Sequence, residues 1–245
     1  MSGSRYLLDQ RIHIAAGRVL NTSFIHKFGA VPAMSQNTNG TVWDVSDTKY
    51  PWSSFNTAGT LTIPAVNASD NGHTVTIVGL DSDFNDLSET VTVSSSGSVT
   101  TTNSFKRVYR AFCTGGGSGE TNVANIDIQK DGVVVARITA DKGQTLMAIY
   151  TVPKGYTGYL MKGVMTVQAN ADATGDMYVR YFGQTTFRVG HSFEVSGTGG
   201  EYMYEFATAL PIPQKSDIDI RATVRSNNAR ATAAFDIILV RNTPN

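Results

Sequence analysis

Apolar and polar residues alternate along most of this chain with the period of two that marks half-buried strands. In the clearest run Val75, Ile77, Val91 and Val93 alternate with threonines on either side of an acidic, polar turn, Gly79–Ser88. Phe105–Phe112 then alternates aromatic or aliphatic with basic residues and stops at the glycine cluster Gly115–Gly119. Beyond it, Asn122–Gln129 and Val133–Ala140 flank Lys130-Asp131-Gly132, whose Asp-Gly step favours a tight hairpin. Pro153-Lys154-Gly155 puts proline and glycine where a type II turn needs them. Further strands are predicted over Thr157–Ala169, Asp176–Phe182, Glu201–Leu210 and Thr232–Arg241. In Asp217–Arg225, Ile218, Ile220, Ala222 and Val224 alternate with charged or polar partners.

Upstream, Thr41–Val45 is a short strand and Ala58–Val66 an edge strand, because Pro64 removes a ladder donor. Asp70-Asn71-Gly72 is a turn signal. Ser94–Thr102 reads as a low-complexity linker or as a polar strand around Val99. Many short strands with frequent turns predict an all-β fold, an antiparallel β-sandwich or jelly roll.

The amino-terminal segment departs from this pattern. Ser4–Val19 fits a short helix capped by Ser4, and its Ile12/Ile14 alternation fits an extended strand equally. The glycine and proline that follow, Gly29 and Pro32, divide the chain into an arm over 1–28 and a body over 29–245. The other reading makes this segment a strand that closes the sheet of its own body. Tyr6, Leu7, Leu8, Ile12 and Ile14 are too apolar for a solvated tail and are the expected interface residues. A second division near 115–119 is a linker between two units or a loop pressed against another subunit, where only backbone fits.

Composition narrows the function classes. The chain has 245 residues, 20 basic and 20 acidic, so nothing draws it strongly to nucleic acid or membrane. Charged residues make up 16%, and Thr, Ser, Asn and Gly take their place, a balance suited to a protein held in an assembly. Cys113 is the only cysteine, which excludes an intrachain disulfide. No apolar run is long enough to span a bilayer, and no signal-peptide core is present, so synthesis in a cytoplasm is expected.

Candidate chemistry is sparse. The four histidines, His13, His26, His73 and His191, lack zinc spacing, and no Gly-x-Ser-x-Gly elbow or phosphate-binding glycine loop occurs. No catalytic residue and no cofactor is therefore expected. Asp81, Asp83, Asp86 and Glu89 are the best metal candidates, hard carboxylates on one loop that could gather around calcium. Asp86 stands where an EF-hand needs glycine, and the plain reading is an exposed acidic turn. Lys106, Arg107 and Arg110 put cations on both faces of one strand, which suggests salt bridges to neighbouring strands or subunits.

Gly79-Leu80-Asp81, Glu89-Thr90-Val91 and Phe105-x-Arg107-Val108 together resemble a segment of structural proteins of marine tailed phages, cyanophages included. Ile25-His26-Lys27-Phe28-Gly29 and Val42-Trp43-Asp44 resemble the amino-terminal part of the same proteins, and the similarity extends loosely to Tyr150-x-Val152-Pro153-x-Gly155. The resemblance implies a non-enzymatic virion protein made in the host cytoplasm. The leading placement is a capsid decoration or cement protein bound to the major capsid protein or other virion proteins. It is expected to be a homo-oligomer, most simply a trimer. The alternative is a tail or fibre component, such as a module that binds host glycans.

Overall fold

The computed structural model describes residues 10–115, 119, 121–196 and 200–243. A short helix, α1 (Gln10–Ala15), precedes β1 (Thr22–Met34) and β2 (Asn39–Thr41). Seven strands follow: β3 (Thr62–Ile63), β4 (Thr74–Leu80), β5 (Asp86–Thr92), β6 (Val99–Thr100), β7 (Arg107–Gly115), β8 (Ile126–Lys130) and β9 (Val133–Ile138). The chain then forms β10 (Ile149–Thr151), β11 (Tyr156–Val167), β12 (Ala173–Arg180) and β13 (Arg188–Val195). It ends with β14 (Glu201–Ile212), β15 (Asp217–Val224) and β16 (Ala229–Arg241). The fold is all-β and every strand pairing is antiparallel.

Strand order identifies the architecture. One sheet runs β1-β16-β11-β14 and the other β10-β15-β12-β13, with β2 also paired to β15. Treating β2 and β10 as one strand leaves eight, and they pass between the sheets at every step except the β12–β13 hairpin, the double Greek-key order of a jelly roll. The two sheets enclose Leu160, Ile220, Phe235 and Ile237, each 4% exposed or less.

The split strand is where an insertion enters. β2 pairs with Arg221–Thr223 and β10 with Asp217–Asp219, so both lie along the same edge of β15. The chain leaves that line after Trp43 and rejoins it at Met147, and these two residues face each other as an antiparallel bridge. Residues 44–146 between them form two further sheets, β6-β3-β8-β9 and β5-β4-β7. Leu61, Ile63, Ile77, Ile126 and Ile128 form their interior, which is continuous with the jelly-roll core.

Local chemistry accounts for most elements. Asp131 and Gly132 both have positive φ, 52° and 80°, as the predicted Asp-Gly hairpin between β8 and β9 requires. Gly155 has φ 81° in the turn after Pro153. β3 differs from expectation: it is two residues long and lies inside its sheet, because Pro64 falls just beyond the ladder. The boundary expected at residue 28 falls within β1, which pairs with β16 from Thr22↔Val240 to Met34↔Ala229. Pro32 sits at the register shift between Val31 and Met34 on this outer strand, where a missing donor costs little. The strands β7 and β8 on either side of 115–119 both belong to the insertion. Residues 116–118 and 120 lie outside the described residues.

Gly29 fixes how β1 crosses the split strand. A Cβ there would collide with the Val42 carbonyl oxygen and the Ala148 amide nitrogen, both backbone atoms that cannot swing aside. Gly29→Ala is expected to lower stability by roughly 1–3 kcal/mol, the range for overpacking. Urea denaturation would show a lower midpoint with unchanged slope.

Candidate functional site

The carboxylates Asp217 and Asp219 lie on β15 and point away from the sandwich interior, where a jelly roll ordinarily meets water. Yet Asp217 is 2% exposed and Asp219 is fully buried, because the insertion folds back over this face. Asp217 accepts from Arg107 Nε at 2.7 Å and Nη2 at 3.0 Å, from Arg180 Nε at 3.0 Å and Nη2 at 2.6 Å, and from Thr151 at 2.7 Å. Arg107 comes from the insertion, and Arg180 and Thr151 from the jelly roll, so one carboxylate ties the two together. Asp219 accepts from Thr41 at 2.8 Å, Trp52 Nε1 at 3.0 Å and Arg221 Nε at 2.9 Å. The Trp52 ring also lies against both Arg107 and Arg180, at 5.6 and 5.4 Å. These acids and bases satisfy one another, which is the chemistry of a joint.

A second joint involves Lys27 on β1. Its Nζ donates to the Tyr109 carbonyl oxygen of β7 and sits 5.6 Å from the Tyr109 ring. Burial, aided by the charge of Arg110, lowers its pKa from 10.5 to about 7. Asp44, at the neck of the insertion, is pushed up to about 6 by burial, against the bond it accepts from Thr139. Between about pH 7 and 10.5 the unfolded chain holds a proton on Lys27 that the folded chain has released. Stability from this group therefore rises with pH across that window, and the burial penalty is largest below it. Lys27→Met is expected to stabilise the fold most near pH 6, the gain shrinking by up to about 1.4 kcal/mol per pH unit above 7. Urea melts of both chains from pH 6 to 10 check this, and a gain that did not vary with pH would contradict it.

On the opposite side of the molecule the outer face of β1-β16-β11-β14 is open. Ile12 and Ile14 of α1, Phe24, Met161, Met203 and Ile238 line an apolar groove of about 330 Å³. Met203 is 62% exposed and Phe24 44%. Beside the groove Asp236 pairs with His26 at 2.5 Å and with Lys162 at 3.3 Å. β14 is an outer strand of this sheet, as β1 is at its other edge.

The predicted site residues fall as follows. Ile12 and Ile14 lie at the groove, whereas Tyr6, Leu7 and Leu8 lie outside the described residues. Asp81, Asp83, Asp86 and Glu89 are not gathered into a cation site. Asp81 accepts from the amides of Asp83 and Asn85 at 2.8 and 2.9 Å, closing its own turn. Glu89 accepts from the amides of Thr102 and Asn103 at 2.6 and 2.8 Å. Asp86 is raised by burial and steadied by a bond with Tyr109. Among the described residues no three His, Cys, Asp or Glu side chains stand together as a metal site would need. Cys113 is half-buried, and burial pushes its thiol up. No helix among the described residues is long and apolar enough to cross a membrane.

Sequence reasoning missed Asp217, Asp219 and Arg180. The signal was present in Asp217-Ile218-Asp219-Ile220-Arg221, an acid–acid–base row on one strand face, where side chains two apart meet the same partner surface.

No protein-family model matches the chain, and no curated protein matches it. Solved structures with slight likeness include the naturally occurring empty particles of cowpea mosaic virus, at 11% identity over 77% of this chain and 83% of that one, TM-score 0.22. Another is the subviral particle of infectious bursal disease virus, at 9% identity over 90% of this chain and 72% of that one, TM-score 0.23. At these scores the likeness carries no argument about this chain.

Proposed function

We propose that this chain is a non-enzymatic structural protein of a virus particle, and that it works by packing against further copies of itself. The observation that carries the reading is an asymmetry. The jelly roll covers one outer sheet face with its own insertion and leaves the other bare, with an apolar groove beside an outer strand. A bare apolar face on a rigid sandwich is what an assembling subunit presents, and the double Greek key recurs in virus shells as well as in lectins and cupins. Since fold alone does not fix function, the resemblance of the motifs around Gly79–Asp81 and Phe105–Val108 to tailed-phage structural proteins supplies the virion context. Within it we place the chain on the capsid as a decoration or cement protein, present in the virion and made in the host cytoplasm. The groove takes a neighbouring copy in a closed ring, with three copies the simplest solution. Tyr6, Leu7 and Leu8 are proposed to extend the contact that starts at Ile12 and Ile14 to the major capsid protein.

Sedimentation of the purified chain at micromolar concentration tests the self-contact. The expected result is a closed oligomer that the double variant Phe24→Asp, Met203→Asp reduces to a folded monomer. A wild-type chain that stays monomeric both free and on particles would overturn it.

A further inference from the structure

We propose that a second site, a cationic cleft where the insertion meets the loops of the jelly roll, binds an acidic saccharide through its carboxylate. The cleft holds about 570 Å³ and lies beside the Asp217 joint. Four cations line it, Lys106, Arg107, Arg180 and Lys215, against the single carboxylate of Asp217. That carboxylate already lies between two guanidiniums, so it leaves the cleft with a strong positive excess. Burial and the neighbouring Arg107 both lower the pKa of Lys106, an independent sign that positive charge accumulates here.

Two of these cations still have hydrogen-bonding capacity. Lys215 Nζ lies over the edge-to-face pair Phe84 and Phe182, 5.6 and 4.6 Å from their centroids, and meets no acceptor among the described residues. Nη1 of Arg180 also has no acceptor among the described residues, while Nε and Nη2 serve Asp217. Lys215 moreover has φ 62°, a left-handed conformation that its side chain does not favour. Such strain concentrates where a side chain must be aimed. An ammonium braced by two aromatic rings is pre-oriented, so an incoming anion need not order it.

The rest of the lining selects among anions. Phe182 is 59% exposed at the rim and offers an apolar face to the C–H side of a sugar ring. The side chains of Ser82, Gln184 and Thr185 supply donors and acceptors for hydroxyls. The lining comes from short loops of both parts of the molecule and forms a compact basin rather than a long channel, which suits a short saccharide better than a continuous nucleic-acid strand, whose backbone needs an extended groove to follow.

The test is calorimetric titration of the full chain with trigalacturonic acid, with the neutral trisaccharide maltotriose, with inorganic phosphate and with a short oligothymidylate. Trigalacturonic acid should bind at least ten-fold more tightly than each of the other three and weaken as salt is raised. Lys215→Asn keeps a residue that tolerates left-handed backbone, so it should fold normally and lose at least ten-fold in affinity for trigalacturonic acid. No binding of trigalacturonic acid, equal binding of maltotriose or phosphate, tighter binding of oligothymidylate, or an affinity untouched by Lys215→Asn would each overturn the assignment.

Discussion

Asp217→Asn is expected to destabilise the fold by about 3–5 kcal/mol, the cost of leaving buried charge without its partner. Arg107 and Arg180, 9% and 17% exposed, share this one carboxylate. The amide that replaces it would turn a donor toward guanidinium N–H groups and would neutralise neither cation. For a chain of this size the midpoint of thermal unfolding should fall by roughly 10 °C. The loss should be specific to stranded charge. Replacing all three residues together, Asp217→Leu with Arg107→Met and Arg180→Met, removes the ions as a set and should recover most of the stability, since apolar packing often serves as well as a buried ion pair. Thermal melts of the two variants separate a joint made of charge from one made of shape. A single variant that melts like the wild type would mean that the insertion is held by its apolar contacts alone.

The second large effect concerns the amino-terminal segment and depends on where it is cut. Removing residues 2–20 leaves β1 whole, so the chain should fold and melt close to the wild-type temperature while losing the groove wall formed by Ile12 and Ile14. Removing residues 2–28 also takes the pairings from Thr22↔Val240 to Phe28↔Ala234, together with Lys27 and its bond to Tyr109. β16 would then be left half-unpaired, its backbone donors and acceptors exposed beside an apolar core, and the product should be insoluble or molten. Near-ultraviolet circular dichroism distinguishes the outcomes. A well-packed 2–28 deletion would favour the reading of the whole segment as an arm.

Much of the strand content was legible because it is local. The Asp131-Gly132 hairpin, the long alternations of β11 and β16, and the turn at Gly155 follow from residue type and spacing alone. β1 was harder to see, since Gly29 and Pro32 look like punctuation until the facing backbone at Ala148 and the bulge on an outer strand explain them. β13 gave almost no signal, with Gly190 and His191 interrupting its alternation.

The site was largely hidden for a different reason. Asp217 and Asp219 alternate with isoleucines as a solvated strand face would, and only an insertion that begins far earlier in the chain buries them. Burial by a distant segment leaves no periodicity of its own. The acidic loop is a cluster in sequence more than in space: Asp81 and Glu89 accept from different backbone amides, and Asp86 bonds with Tyr109.

The central claim, that this chain is a repeating structural part of a virus particle, is tested most directly by symmetry-averaged cryo-electron density of the intact particle at a resolution that shows strands. The predicted result is a two-part β body at regularly repeated positions on the capsid, with the β1-β16-β11-β14 face covered by another copy. Density fully explained by other chains, with no place for this one, would contradict the account.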